Sequence, residues 1–293
     1  DYPTNNSVTD NIIHAVFRRE IRRQGINISI DVLVGLITEV ISENGDTFNK
    51  STLKHHLDLY FDTRSNEILQ KILLNPLFNC TENHVALKYG FLSSYFRSLY
   101  IINTIIKSQF TIESLNALAK ANSNDSLEID YVKKFFQSRL SDLDSHIFHL
   151  MPRLLDVVNQ SKDLDLKKCE TARRAISGLL KIYVQAKGYS SAQISEKLLE
   201  LFANGNTANR RIDGLNIYGD FPPLDFSSLT VLNSHFLDYK NFSKSKFRDA
   251  KFLYCVFNSC ANDEVLDSSI LAADFDATCS LGNLEKLIDQ AKS

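Results

Sequence analysis

The sequence lacks the features that mark several common classes of enzyme. Its 293 residues include no tryptophan, one methionine (Met151), five prolines and ten glycines. No glycine is followed by lysine, so the chain has no phosphate-binding loop ending in Gly-Lys-Ser/Thr. The Gly-x-Ser-x-Gly motif of serine hydrolases is absent as well. We therefore assign no catalytic residue and expect the chain not to be an enzyme.

Long apolar runs and strong charge are also missing. No run of about 18 apolar residues is present, which predicts no transmembrane helix, and the polar start DYPTNNSVTDN is unlike a signal peptide. A net charge of −2 argues against a nucleic-acid coat or a polybasic membrane anchor. The cysteines are scattered and odd in number, which favours a reducing cytoplasm: Cys80, Cys169, Cys255, Cys260 and Cys279.

What the sequence does contain is a five-residue periodicity near its C-terminal end. Phe242, Phe247, Phe252 and Phe257 recur at every fifth position. Helices repeat at about 3.6 residues and strands at about 2.0, so neither gives this period. A four-sided coil does, because each repeat turns one corner and its central residue points to the axis. The residue two places earlier shares the narrow interior and must be small.

The repeat extends upstream with one change of register. Phe226, Val231 and Phe236 are also spaced by five, and one inserted residue before Phe242 would join the two sets. The alternative frame runs through Leu232 and Leu237 without an insertion, but it places His235 and Lys240 inside. The inserted frame is preferred because an unpartnered buried lysine is costly.

This pattern resembles the pentapeptide-repeat family, in which a small residue precedes a central Leu or Phe by two positions. The resemblance implies a right-handed quadrilateral β-helix with seven core residues, Phe226, Val231, Phe236, Phe242, Phe247, Phe252 and Phe257. Residues 224–260 make about two coils, which need caps from the preceding helices and from a terminal helix over 281–291. A meander of ordinary Phe-rich strands is the alternative.

The N-terminal third is predicted to be helical with one hairpin. Apolar periodicity indicates helices over 8–24, 30–43, 51–61, 65–74 and 91–107, with short strands at 77–78 and 85–89. This order is typical of a winged helix, a fold that often reads DNA. The candidate recognition helix, however, offers only Lys71 against Glu67, with Arg64 just before it, so a protein-packing role is favoured.

The run from 71 to 102, KILLNPLFNCTENHVALKYGFLSSYFRSLYII, is similar to the winged-helix end of NACHT-type STAND ATPases. The matching positions are Val85, Leu87, Tyr89, Leu92, Tyr95 and Phe96. The family's phosphate-sensing histidine falls on Tyr89, which leaves Tyr89 and Lys88 as the nucleotide-sensing candidates. The resemblance implies that ATP and Mg²⁺ bind a domain upstream of Asp1, and that no cofactor binds these residues. The start at Asp1 also suggests a piece of a longer protein.

Together these patterns predict a mainly α chain. We expect a winged-helix-like domain over 1–107, a helical domain over 108–208, a pentapeptide-repeat-like coil over 209–275 and a capping helix over 276–293. Within the helical domain, helices are predicted over 111–121, 126–141, 145–160, 163–187 and 190–203.

The implied function is the regulatory or sensor region of a bacterial signalling protein, in a setting such as phage defence, with the C-terminal coil facing a protein partner. The alternative is a stand-alone pentapeptide-repeat protein-binding module; a DNA-mimicking topoisomerase inhibitor is less favoured, because two coils and a charge of −2 do not make an acidic rod.

One cluster has the composition of a metal site. Asp142, Asp144, His146 and His149 lie within eight residues, with the histidines at i and i+3. No HExxH-type motif accompanies them, so helix capping by the aspartates and surface histidines is the preferred interpretation. No metal is assigned.

Overall fold

Eleven α-helices account for most of the regular structure in the described part of the chain. The computed structural model describes residues 8–108, 110–122, 127–137, 139–162, 164–203, 205–260 and 266–292. The chain divides into two compact units, Asp1–Ala117 with Ser126–Phe135 and Leu118–Asp125 with Phe136–Ser293. The prediction of a mainly helical chain is confirmed, and parallel sheets follow the helices in the C-terminal part.

The helices have the following bounds: α1 Val8–Gln24, α2 Ile30–Asn44, α3 Lys50–Phe61, α4 Ser65–Leu73, α5 Gly90–Lys107, α6 Ile112–Lys120, α7 Leu127–Gln137, α8 Leu140–Ser161, α9 Leu166–Lys187, α10 Ser191–Phe202 and α11 Leu284–Lys292. The strands are β1 Thr47–Asn49, β2 Phe78–Cys80, β3 His84–Leu87, β4 Arg211–Asp213, β5 Asn216–Tyr218, β6 Thr230–Leu232, β7 His235–Leu237, β8 Lys251–Leu253, β9 Val256–Asn258 and β10 Asp274–Phe275.

The N-terminal unit is organised around α2, which packs against α5. The hydroxyl of Ser29 accepts a hydrogen bond from the Val32 amide at 3.2 Å and so caps the start of α2. Gly45 ends the helix with a φ of 86°, a conformation that favours glycine. Between these ends, Ile37 and Ile41 belong to the same buried cluster as Phe96 of α5.

A three-stranded antiparallel sheet completes this unit, in the order β1-β3-β2. The sequence predicted β2 and β3 as a hairpin but missed β1. That strand contains a single apolar residue, Phe48, which is 4% exposed. With only three residues there is no periodicity to detect, and pairing with β3 fixes the strand.

The helices of the C-terminal unit include the long pair α8 and α9, which pack together. The sequence placed a helix break near 142–144, whereas α7 ends at Gln137 and α8 begins at Leu140. Asp142 lies in the first turn of α8. Asp144 is not a cap: it accepts a hydrogen bond from Tyr183 at 2.8 Å and from Lys187 at 2.5 Å, both on α9. The Asp144 carboxylate therefore bonds α9 and does not cap a helix.

The strands of this unit form two parallel sheets. One has the order β10-β8-β6-β4 and the other the order β5-β7-β9. In the first sheet Ile212 pairs with Val231, which pairs with Phe252. In the second sheet Ile217 pairs with Phe236, which pairs with Phe257. We call β4 with β5, β6 with β7, and β8 with β9 the first, second and third layers.

Aromatic rings fill the space inside the layers. Phe236 and Phe257 stack with centroids 4.9 Å apart and planes inclined by 5°. Phe252 and Phe275 stack at 4.9 Å and 9°. All seven predicted core residues are at most 1% exposed: Phe226, Val231, Phe236, Phe242, Phe247, Phe252 and Phe257. Ring stacking therefore keeps the phenylalanines of successive layers aligned.

The turns of the layers explain the change of register. Left-handed φ values recur every fifth residue at Ser228, Asn233 and Asp238, and again at Asp249, Tyr254 and Ser259. Eleven residues separate Asp238 from Asp249, which is two repeats plus one residue. Lys240 is exposed. The structure therefore agrees with the frame that contains one inserted residue.

The first layer lies within the predicted coil domain of 209–275, but before residues 224–260, the stretch predicted to make about two coils. Only Ile212 and Ile217 show the five-residue spacing here, because Phe221-Pro222-Pro223 then interrupts the pattern. The amides at this end are satisfied by serines of the preceding helices. Tyr218 donates its N–H to Ser177 of α9, and Asp225 donates its N–H to Ser195 of α10, both at 2.9 Å.

The last layer is covered by the segment that leads into α11. Phe257 donates its N–H to the Ser280 carbonyl at 2.7 Å. The side chain of Asn283 accepts from the Cys260 amide at 3.1 Å and donates to the Cys260 carbonyl at 2.7 Å. Hydrogen bonding between layers therefore continues to the start of the terminal helix.

We predict that Phe252→Ala lowers the free energy of unfolding by about 3–5 kcal/mol, because it removes a ring from the filled interior. Urea denaturation followed by circular dichroism measures this loss. Tyr254→Ala is the matched control, since Tyr254 is 58% exposed two residues away and should cost at most about 1 kcal/mol. Equal losses for the two variants would contradict the interior role of Phe252.

Candidate functional site

The two residues predicted to sense nucleotide, Lys88 and Tyr89, lie at the start of α5. Both side chains are exposed. The Tyr89 ring stacks on Phe91 with centroids 5.9 Å apart, and the Lys88 ammonium lies 5.7 Å from the centre of the Tyr89 ring. This gives a small exposed aromatic cluster with one cation. Their nucleotide-sensing role stays a prediction.

Residues of the candidate metal cluster on α8 bond other side chains or are exposed. Asp144 is occupied by Tyr183 and Lys187, and His149 is exposed. Across the described residues, no group of three or more His, Cys, Asp or Glu side chains is arranged to hold a metal ion. The geometry therefore offers no reason to assign the cluster to a metal.

The buried cysteines of the layers act as hydrogen-bond donors. The Cys255 thiol donates to the Val231 carbonyl at 3.4 Å, and the Cys260 thiol donates to the Phe236 carbonyl at 3.3 Å. Burial raises the pKa of both thiols to about 12. Both thiols are thus protonated near neutral pH, which keeps them as donors and makes them poor nucleophiles.

A cleft of about 740 Å³ lies beside the layers in the C-terminal unit. One wall comes from the end of α8 and from α9, and carries Leu155, Val158, Asn159, Lys162 and Arg173. The other wall comes from the turns between the two sheets, one turn from each layer. It carries Asp213, Gly214, Asn216, Asn233, His235 and Tyr254. Its size is in the usual range for small-molecule sites.

Positive charge predominates in this cleft. Lys162 and Arg173 supply two cations, and among the described residues neither forms an ion pair. Asp213 is the one carboxylate in the lining, and both of its oxygens have partners. Arg211 bonds one oxygen at 2.9 Å, and Asn233 donates to the other at 2.8 Å. The free charge in the cleft is therefore cationic.

The same two cations affect the pKa of His235. Burial and the positive charges of Arg173 and Lys162, opposed by Glu170, together lower its pKa to about 4. Glu170 itself pairs with Arg174 at 2.9 Å and accepts from Tyr218 at 3.1 Å. At neutral pH the imidazole is therefore neutral.

Asn216 is the most buried polar residue of the lining, at 3% exposed. Its amide nitrogen donates to the Gly214 carbonyl at 2.8 Å. Its carbonyl oxygen, Oδ1, is buried and has no hydrogen-bond partner among the described residues. A buried acceptor without a donor is costly and unusual.

Sequence reasoning did not find this cleft. From the sequence, His235 is considered only as an interior residue of the alternative frame, and Lys162 and Arg173 have no predicted role. The lining comes from two helices and three turns spread over 155–254. No short motif could reveal it, because the parallel register of the layers is what places the three turns side by side.

Comparison with known proteins gives no match to a family model, to a curated protein or to a solved structure. Among the described helices, none is both long and apolar enough to cross a membrane.

We predict that His235 makes folding stability depend on pH. The ordinary pKa of histidine is about 6.5, so the unfolded chain takes up a proton that the folded chain excludes down to about pH 4. Stability should therefore fall as pH drops from about 6.5 to about 4, by on the order of 1 kcal/mol from this group. Above pH 6.5 the group should contribute nothing.

The melting temperature at pH 7 and at pH 5 measures this effect. His235→Asn should show a smaller difference between the two pH values than the unchanged protein. His149→Asn, at an exposed position of the same unit, should keep the full difference. An unchanged pH dependence in His235→Asn would remove His235 as the cause.

Proposed function

We propose that the chain is a non-catalytic regulatory and recognition region of a bacterial NACHT-like STAND signalling protein. In this proposal the N-terminal unit is a winged helix that works with an upstream ATPase domain in cis. The C-terminal layers are a right-handed quadrilateral β-helix of the pentapeptide-repeat type, and their outer face binds a protein partner. The family resemblance suggests phage defence as the setting.

The winged-helix part of the proposal is supported by element order. The segment from α2 to β3 runs helix, strand, helix, helix, strand, strand, and its antiparallel sheet has the order β1-β3-β2. Lys88 and Tyr89 follow β3 directly and are exposed, so they are available to contact a nucleotide held by another domain.

The β-helix part is supported by the five-residue spacing of the left-handed turns and by the parallel pairing of successive layers. Because the interior is filled, only outward-facing side chains can contact a partner. The observation that carries the recognition role is a basic run on the third layer and the turn before it. Lys244, Lys246, Arg248 and Lys251 are all exposed, and Asp249 is the one acid among them. We call these four cations the basic face.

The basic face suits a partner with an acidic surface, since complementary charge speeds encounter and selects the partner. It argues against the DNA-mimic alternative, because a mimic of DNA must present negative charge. A stand-alone pentapeptide-repeat protein-binding module is the second candidate. It would use the same basic face but no upstream ATPase domain.

We predict that Lys246→Glu with Arg248→Glu abolishes capture of the partner while leaving the melting temperature unchanged. Tagged protein would be used as bait in lysate of the source cells, and captured proteins would be identified by mass spectrometry. Lys167→Glu with Lys168→Glu is the matched control, since it makes the same change of charge at two exposed positions of α9.

The expected result is an acidic protein retained by the unchanged chain and by the Lys167/Lys168 control, and lost with the Lys246/Arg248 variant. Binding that survives reversal of Lys246 and Arg248 would exclude the basic face. Equal loss in both variants would show that the capture is non-specific.

The STAND assignment makes a separate prediction about the gene. The reading frame upstream of Asp1 should encode a Gly-rich loop ending in Lys-Ser/Thr, followed by a strand that ends in an acidic residue for Mg²⁺. Sequencing of the locus checks this. An initiator methionine immediately before Asp1 would favour the stand-alone module instead.

A further inference from the structure

We propose that the cleft between α8, α9 and the layer turns binds a nucleotide. The phosphate would be held by Lys162 and Arg173, and the ring of the ligand would lie against Tyr254. This site is distinct from the basic face and does not depend on the protein partner proposed above.

The anionic group of the ligand is indicated by unpaired charge. Lys162 and Arg173 come from two different helical elements and converge on one cavity, with no ion pair to any described residue. Arginine with lysine is a common combination for phosphate, because the guanidinium gives a planar fork of donors and the ammonium a compact charge. The field of these cations at His235 supports the same conclusion.

A hydrogen-bond donor on the ligand is indicated by Asn216. Asn216 lines the cleft, and its buried Oδ1 has no hydrogen-bond partner among the described residues. Inorganic phosphate is a poor partner for this oxygen, because it is chiefly an acceptor itself. A ribose hydroxyl or a base amino group would supply the missing donor. The polar lining therefore favours an organic phosphate over a bare anion.

An aromatic surface is supplied by Tyr254, which is 58% exposed at the edge of the cleft. Its φ is 54°, a conformation in which bulky residues are rare. The other layer turns place Gly, Ser, Asn or Asp in this conformation, at Gly214, Gly219, Ser228, Asn233, Asp238, Asp249 and Ser259. The backbone thus gives no reason for a tyrosine here, whereas stacking on a base does.

Two other clefts lack this combination. A cleft of about 660 Å³ on another side of the layers is lined by Lys246 and Arg248 together with Asp225 and Asp267, and its lining contains no aromatic ring. A cleft of about 160 Å³ in the N-terminal unit carries Asp31 and Glu39 against Lys107 and is too small for a nucleotide. Of these three clefts, only the one beside α8 and α9 joins excess positive charge, a residue with a buried free acceptor and an exposed ring.

The test is isothermal titration calorimetry of the full chain with AMP, GMP, CMP and UMP, at about 0.1 M NaCl. At least one nucleotide should bind, and removing either half of it should weaken binding about tenfold. The halves are probed with the matching nucleoside, which lacks the phosphate, and with ribose 5-phosphate, which lacks the base.

The variants assign each half of the ligand to its residues. Arg173→Gln and Lys162→Gln should each weaken nucleotide binding about tenfold and leave the nucleoside unaffected. Lys167→Gln is the control for charge and should change affinity by less than about twofold, because Lys167 is exposed outside the cleft. Tyr254→Leu should abolish the preference for nucleotide over ribose 5-phosphate. Circular dichroism confirms that each variant is folded.

Three results would overturn the proposal. The first is that no nucleotide binds at concentrations up to about 5 mM. The second is that Lys167→Gln weakens binding as much as Arg173→Gln. The third is that a single-stranded tetranucleotide binds at least ten times more tightly than every mononucleotide, which would assign the cleft to nucleic acid. Each leaves the partner proposal standing, because Lys246 and Arg248 lie outside this cleft.

Discussion

The C-terminal unit depends on the stacking of aromatic rings between two parallel sheets. Phe236 with Phe257 and Phe252 with Phe275 are stacked pairs with nearly parallel planes and centroids 4.9 Å apart, each contributing about 0.5–1.5 kcal/mol beyond the area it buries. A strand that slipped by one residue would turn its phenylalanine to solvent. The rings therefore fix the register, and the register places the turns that line the cleft beside α8 and α9.

A stack of parallel strands has unpaired edges at both ends, and such edges promote aggregation. The chain covers them with side chains from neighbouring segments. Ser177 accepts the amide of Tyr218 in β5, Ser195 accepts the amide of Asp225 before β6, and Asn283 bonds both backbone groups of Cys260. The interior adds donors of its own, since the thiols of Cys255 and Cys260 bond carbonyls of the layer before them. Helices and layers are therefore interdependent parts of one unit.

Elements whose residues follow a repeating pattern could be predicted from the sequence. Elements whose position is fixed by pairing with distant segments could not. The five-residue period of the phenylalanines picks out residues that are buried, and the cost of burying Lys240 favours the frame that leaves it outside, where the structure has it exposed. Helices with long apolar faces, such as α9, were recognisable from periodicity. By contrast, β1 contains one apolar residue, Phe48, and the first layer shows the five-residue spacing only at Ile212 and Ile217, which is too short a repeat to recognise.

The cleft shows a different limit of sequence reasoning. Lys162, Arg173, Asn216 and Tyr254 have no common spacing, and each is ordinary in its local context. Asp144 was likewise read as a local cap because its partners, Tyr183 and Lys187, lie about forty residues away. Charges act through space, so the partners of a charge are fixed only once the helices and layers are packed.

The inserted residue between Asp238 and Asp249 has a consequence for how such a chain can change in length. It is accommodated in the connection between β7 and β8, where Phe242 and Phe247 both remain buried. Insertions at corners should therefore be tolerated in related sequences, as should whole added layers of about twenty residues. Gains or losses within a strand would shift every later ring, so length variation should be confined to the corners that face the cleft and the surface.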